Sequence, residues 1–266
     1  ADLNDVNMLD PFHLDAYNVK TVNYNRDIEI FPVLSAMFEN IYGHSPYKSP
    51  TDMGVNMAGF CIFDDEAVCE AAKQEIIRRY YKALCDRRRG HDAGKEIEKL
   101  ELLLSKADIT AADRKVVAAA NEIAEQTGAP AAAIELADGT VLTGKTKQLL
   151  GAASSMILNA LKHLAKIDDS VELIPSDLIE PVQSLKVNYL GSRNPRLHVD
   201  EVLVALSVAA ARNRTAAKAL SFLPMLKGAQ VHCSVILSGT DSSILSRLGI
   251  DLTTEPDYEN DNLYHL

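Results

Sequence analysis

The sequence predicts a helix-rich α/β (α+β) protein, with a mixed sheet built around a β-hairpin and long buried helices in its C-terminal domain. Apolar residues recur at helical spacing through much of 65–128 and again through 146–166. Two β-prone runs, AAAIEL and TVLTG, meet at a turn containing Asp138-Gly139. Two short runs, AQVHCSVIL and IDLTTEP, have the length and β-branched content of strands. At 266 residues, 47% of them hydrophobic and 24% charged, the chain can bury one large core or two ordinary ones.

The first sixty residues are loop-rich, with Pro11, Pro32, Pro46 and Pro50. They hold one helix, from about Asp27 to Tyr42, and SPTDMGVNMAGFCI then runs from a turn into a strand-like stretch. In DDEAVCEAAKQEIIRRYYKALCDRRRG, residues Val68, Ala72, Ile76, Tyr80 and Ala83 share a helix face, with Asp64 or Asp65 as cap and Gly90 as stop. KEIEKLELLLSKA is a second amphipathic helix. TAAD is a capping box before a third, RKVVAAANEIAEQTG, which ends at Gly128. The texture changes at Ala129-Pro130, so the expected domains are 1–128 and 129–266.

After the hairpin, Thr146 to about Lys166 forms a long helix whose wide apolar stripe, including Leu149, Leu150, Met156 and Leu161, marks it as buried. SDLIEPVQSLKVNYL and DEVLVALSVAAARN are helical, and TAAKALSFLPMLKG is helical as far as its proline and glycine. AQVHCSVIL is a strand, TDSSILSRLG a short helix and IDLTTEP the last strand.

Charge and composition narrow the function. Lys+Arg 27 against Asp+Glu 37 gives a net charge of -10, which argues against a nucleic-acid partner held by phosphate neutralisation. Arg87-Arg88-Arg89 is explained as a helix end, where cations favour the macrodipole. Cys61, Cys69, Cys85 and Cys233 show no CxxC or zinc-finger spacing, so reduced, mostly buried thiols in a cytoplasmic protein are expected. Asp2, Asp5 and Asp10 exclude a signal peptide at the start of the chain. The longest apolar stretch, VLVALSVAAA, is about half of a membrane span, so no membrane partner is expected. The chain opens on Ala1 without an initiator Met, which points to processing or to a fragment.

Gly139 to Thr146, GTVLTGKT, satisfies the phosphate-loop pattern G-x-x-x-x-G-K-[ST], with Gly139, Gly144, Lys145 and Thr146 in the key places. A phosphate cradle needs conformations that glycine tolerates and β-branched residues resist. Thr140, Val141, Leu142 and Thr143 prefer extended chain, so the same letters are better read as the second strand of the hairpin. Zinc is disfavoured: there is no HExxH, and His13, His91, His198 and His232 are scattered. His163, on the long helix, is read as a satisfied or snorkelling residue. His232 and Cys233 on one strand point to opposite faces and cannot share a metal. There is no G-x-S-x-G elbow.

The N-terminal third is denser in chemistry. His13, Asn23, Asn25, Arg26, Asp27, Ser49, Thr51, Asp52 and Asn56 fall within some fifty residues. Such a set can grip a phosphate or a polyol, because Arg binds oxyanions in bidentate fashion and amides read hydroxyls. Arg26 would stabilise negative charge and His13 or Asp52 would handle protons, with the other six contacting substrate. The same residues also cap helices and start turns, and Arg26-Asp27 can be a simple ion pair. NPRLH, 194–198, is a further candidate that reads as a helix lead-in.

These segments carry a resemblance. DLNDVNMLDPFHLDAYN, VNYNRDIEIFPVL, YKSPTDMGVNMAGF, DGTVLTGKT, NPRLHVDEVLVALS and GIDLTTEP resemble domain-of-unknown-function family eighteen forty-six, a bacterial family, over essentially the whole chain. The resemblance implies members about twice this length, with this chain as their C-terminal half. It further implies an N-terminal half similar to a nucleotide-binding α/β domain, which would hold most of any nucleotide with Mg²⁺. Residues 1–128 would then be the trailing part of that unit plus a helical layer. The zinc-protease label that some members carry has no support in these residues. Thr215 stands where the family pattern has proline, and Cys233 where it has serine. The expected function is the substrate side of a nucleotide- or phosphometabolite-binding enzyme. Its partners would be a small-molecule ligand and its own N-terminal half or a second subunit, the latter giving a homo-oligomer. The alternative is a non-catalytic oligomerisation or interaction module.

Overall fold

The structure, a computed structural model, describes residues 25–48 and 65–259; side chains are described from residue 30 in the first segment and from residue 70 in the second. The chain divides into two compact units, Ala1–Arg114 and Lys115–Leu266. In the first, the described residues form helices α1 (Asn25–Tyr42), α2 (Asp65–Arg88) and α3 (Gly94–Lys106), then a 3-10 turn at Ala111–Asp113. Ala83, Ala93, Ile97 and Leu100 make the small core between α2 and α3. Glu75, 5% exposed, is a buried carboxylate that receives Arg78 at 2.7 Å and Arg79 at 2.9 Å, which offsets its desolvation. Arg87 and Arg88 fall in the last turn of α2, where their charge favours the macrodipole. The TAAD box forms as expected: Asp113 accepts the Thr110 N–H at 2.7 Å.

The second unit opens with α4 (Lys115–Thr127), followed by β1 (Ala131–Glu135), β2 (Val141–Lys145), α5 (Ala152–Leu164) and α6 (Ser176–Ser184). Then come α7 (Val199–Ala210), α8 (Arg214–Ser221), β3 (Gln230–Cys233), α9 (Gly239–Arg247) and β4 (Asp251–Thr254). The four strands lie in the order β2-β1-β3-β4, with β1 antiparallel to both its neighbours and β3 parallel to β4. The sheet is therefore mixed, as the sequence predicts. β1 has no exposed residue from Ala131 to Ile134. Ala133 faces Val116 and Ala120 of α4, while Ala132 and Ile134 face the main core with α5 and α7. Small side chains on this central strand let helices come close on both faces.

The hairpin turns where Asp138-Gly139 predicts. Leu136 N–H donates to the Thr140 carbonyl at 2.9 Å, and Asp138 accepts the Thr140 N–H at 2.9 Å. Gly139 takes the left-handed φ of +81° that this turn requires. Thus Gly139 to Thr146 is a turn and an edge strand.

Two helices begin or end differently from the expectation. α5 starts at Ala152, not near Thr146, because Leu150 bridges to Leu197 and Gly151 becomes the cap. The helix expected from SDLIEPVQSLKVNYL contains Pro181 and loosens after Ser184 into a π-turn, Leu185–Tyr189. The strand expected from AQVHCSVIL pairs only over Gln230–Cys233. Asn213 caps α8 by accepting the Thr215 N–H at 2.8 Å, a bond that proline at 215 could not donate.

Gly144 sits where α5 crosses β2. A Cβ there would lie 2.2 Å from the Met156 backbone nitrogen and 2.6 Å from its Cα. Neither atom can move without moving the helix. Gly144→Ala should therefore destabilise the protein by about 3 kcal/mol, at the upper end of ordinary overpacking, read as a fall in urea midpoint. A loss below about 0.5 kcal/mol would mean that α5 does not pack this closely.

Candidate functional site

Of the residues that the sequence singles out, His13, Asn23, Ser49, Thr51, Asp52 and Asn56 lie outside the described residues, as does the strand-like stretch 49–62. Asn25, Arg26 and Asp27 occupy the first turn of α1, and their side chains also lie outside them. His163 is exposed near the end of α5. His232 and Cys233 are both buried but diverge, as a strand requires. His232 has Nδ1 2.9 Å from Thr253 Oγ1 and Nε2 3.2 Å from Glu255 Oε1, whereas Cys233 joins the main core. Burial pushes the Cys233 thiol far up, and the Asp241 charge adds to this, so it stays protonated and unreactive. Among the described residues no group of three or more His, Cys, Asp or Glu side chains could hold a metal. None of their helices is long and apolar enough to cross a membrane.

A cavity of about 920 Å³ lies along β2 in the second unit. Because β2 is an edge strand, both of its faces and its free edge contribute. Thr143, Gly144 and Lys145 come from β2 itself, and Lys147 to Leu150 from the link into α5. Ser155, Leu158, Asn159 and Lys162 follow at one helical face of α5, so this wall runs about 10 Å at 1.5 Å per residue. Asn159 holds strand and helix together by donating to the Thr143 carbonyl at 2.8 Å. Ile123 and Thr127 of α4, Glu172, Leu173 and Ile174 before α6, and Ser176 and Ile179 within it complete the lining.

The polar groups of this cavity are unevenly satisfied. Lys162 donates to the Asp169 carbonyl at 2.8 Å. Lys145 and Lys147 have no side-chain partner among the described residues. Ser155 is 7% exposed, and its Oγ is buried without a hydrogen bond in the structure. An unmet buried hydroxyl costs about 1–3 kcal/mol, and Ser155 is also one of the residues lining the cavity. The lining brings together three lysines, one exposed carboxylate (Glu172), the hydroxyl residues Thr127, Thr143, Ser155 and Ser176, and the amides of Gln148 and Asn159. Lys145 appears in the sequence only through a misleading motif. Ser155 and Lys162 carry no signal there, because nothing local distinguishes them from ordinary helix residues.

A second polar cluster joins α7 to α9. Asp241 is 8% exposed. Its Oδ2 lies 2.8 Å from His198 Nδ1 and accepts Ser238 Oγ at 3.0 Å, while Oδ1 accepts the Val199 N–H at 2.7 Å. Glu201 Oε2 accepts both the His198 N–H and the nearly buried Lys186 ammonium, each at 2.7 Å. NPRLH is thus the lead-in to α7 that its sequence suggests, with a ring that also ties down the start of α9. The hydrogen bond to Asp241 raises the His198 pKa above its ordinary 6.5, against the opposing effect of burial. Burial pushes the Asp241 carboxyl upward, but His198, the Val199 N–H and Ser238 outweigh it and hold it below 3.8.

Residues 1–108 match the family described as "Domain of unknown function DUF1846, N-terminal", and residues 112–264 match "Domain of unknown function DUF1846, C-terminal". The expectation that the chain represents a C-terminal half is thereby corrected: it carries sequence of both domains. UPF0371 proteins of Corynebacterium urealyticum and Corynebacterium glutamicum are each 55% identical to it over 264 residues. One from Streptococcus thermophilus is 52% identical over the same length. These alignments cover 99% of this chain and 53% of each relative, so the chain spans about half the length of the curated relatives it matches.

The His198–Asp241 pair links stability to pH. Because His198 has a raised pKa, its contribution is complete below 6.5 and is lost as pH rises through the raised value. The contribution of Asp241, whose pKa is lowered, is present above 3.8 and is lost as pH falls through its lowered value. The pair is therefore at full strength between those limits. Asp241→Asn should cost about 2 kcal/mol there, discounted from a fully buried pair because the ring is partly exposed. Urea titrations of Asp241→Asn between about pH 6 and pH 9 should also show a flatter profile than the native protein; an unchanged profile would remove His198 as the titrating group.

Proposed function

This chain belongs to the DUF1846 family, and we propose that its 115–266 unit binds a small anionic molecule, bearing a phosphate or a carboxylate, along the edge of β2. The observation that carries this reading is Ser155 Oγ, buried and unpaired, beside a cavity where Lys145 and Lys147 have no partner among the described residues. Lysines at the rim of such a cavity supply charge-assisted donors to an anion. The volume of about 920 Å³ is that of a small-molecule site. The lining includes no histidine, cysteine or aspartate, and its ionisable side chains are Glu172, Lys145, Lys147 and Lys162.

Calorimetry and thermal shift with inorganic phosphate test the reading. Phosphate should raise the melting temperature, since a ligand of the native state alone must do so. Lys145→Gln and Lys147→Gln should each weaken binding about tenfold, the loss of one charged hydrogen bond. Lys218→Gln, an exposed position on α8, should not. Equal binding in all variants, or no binding to the native protein, would overturn it.

A further inference from the structure

Helix α7 is apolar on both sides. Val202, Ala205, Leu206 and Ala209 are buried in the main core, which leaves Val204, Ser207, Val208 and, just past the helix, Ala211 exposed. From Val202 to Ala211 the sequence holds no charged residue. A helix that packs on one side only carries polar residues on the other, and one that is apolar all round is covered on both. The neighbouring π-turn repeats the pattern. Lys186 is buried in it, and its ammonium reaches Glu201, one turn before Val204, at 2.7 Å. That bond holds the turn at the head of the exposed stripe. Leu185, Val187, Tyr189 and Leu190, in and just after the turn, are exposed, Tyr189 to 80%. With Val204 and Val208 they leave roughly 650 Å² of apolar residues open, most of the about 800 Å² that each partner buries in a standard stable interface.

Charge identifies the occupant. α7 opens with Asp200 and Glu201 and is followed by Arg212 and Arg214. Both arginines are exposed and have no ion-pair partner among the described residues. Two copies of this helix laid antiparallel set an acidic start against a basic end twice over, whereas a parallel pair sets like charges together. We propose that this surface joins two copies of the chain, their α7 helices antiparallel about a two-fold axis at Ser207 and Val208. Val204 of one copy then meets Ala211 of the other, large against small, and the two π-turns close the rim. The contact is independent of the β2 cavity.

Sedimentation equilibrium of the full chain between about 1 and 200 µM, where interfaces of this size begin to associate, tests the proposal. The native chain should be a dimer at the upper end of that range. Val208→Glu should raise the dissociation constant at least about a hundredfold, because the substitution enters a two-fold contact twice and sets two carboxylates face to face. Arg212→Glu should raise it about tenfold. Glu125→Gln, exposed on α4 across the sheet from α7, should leave it unchanged. At concentrations below dissociation, native and Val208→Glu chains should melt at the same temperature, since position 208 is then open to water. A dimer that Val208→Glu leaves intact would overturn the proposal by placing the contact on another face. A native chain monomeric throughout would also overturn it. If Val208→Glu then lowered the melting temperature of that monomer, the stripe would be covered by a segment of the same polypeptide instead.

Discussion

The close crossing of α5 over β2 at Gly144 governs the second unit. The Met156 nitrogen stands 2.2 Å from where a Cβ of residue 144 would be, so the helix rests on backbone. This contact fixes both the height and the rotation of α5 above the sheet. The rotation turns Met156, Ile157 and Leu161 into the main core. It leaves Ser155, Leu158, Asn159 and Lys162 facing the open edge of β2. Asn159 then bonds the Thr143 carbonyl, which an edge strand would otherwise leave to solvent or to a foreign strand. The cavity is what remains when a helix seated this low meets a strand with no outer neighbour.

The same crossing explains why Gly144-Lys145-Thr146 resembles a phosphate loop without being one. Each letter has its own physical reason. Gly144 is small because a helix backbone lies on it. Lys145 is charged at the end of an edge strand, where lysine discourages pairing with another chain. The Thr146 N–H continues the hairpin by donating to the Pro130 carbonyl at 2.8 Å. The β-branched residues in the interior of the motif mark a strand there, because strand propensity and phosphate-loop conformation exclude each other locally.

Legibility in the sequence follows the range of the interaction. The hairpin could be read because Asp138-Gly139 sets its own turn, and α4 because Thr110 and Asp113 cap the turn before it. The start of α5 could not, because Leu149 and Leu150 are apolar at helical spacing yet contact residue 197 across the fold: Leu197 N–H donates to the Leu149 carbonyl. His198 and Asp241 escape for the same reason. Each looks like a helix-start residue, and only folding brings them to 2.8 Å. The candidate site is less legible still, since its lysines and its serine come from a strand, a link and a helix. The dense polar clusters near the N-terminus are contiguous in sequence, and most of their residues lie outside the described ones.

A net charge of -10 might be thought to oppose an anion site, and the distances decide against this. At physiological ionic strength the Debye length is about 8 Å, so carboxylates elsewhere on the surface act only weakly at the cavity. Within that range the lining holds three lysines and one carboxylate. If the cavity holds an anion as proposed, the acidic balance would repel anions from most of the rest of the surface. Charge alone would still accept any anion. Beyond the lysines the lining mixes Leu158, Ile174 and Ile179 with Asn159, Glu172 and Ser176, so charge, apolar contact and hydrogen bonding would all bear on which ligand is retained.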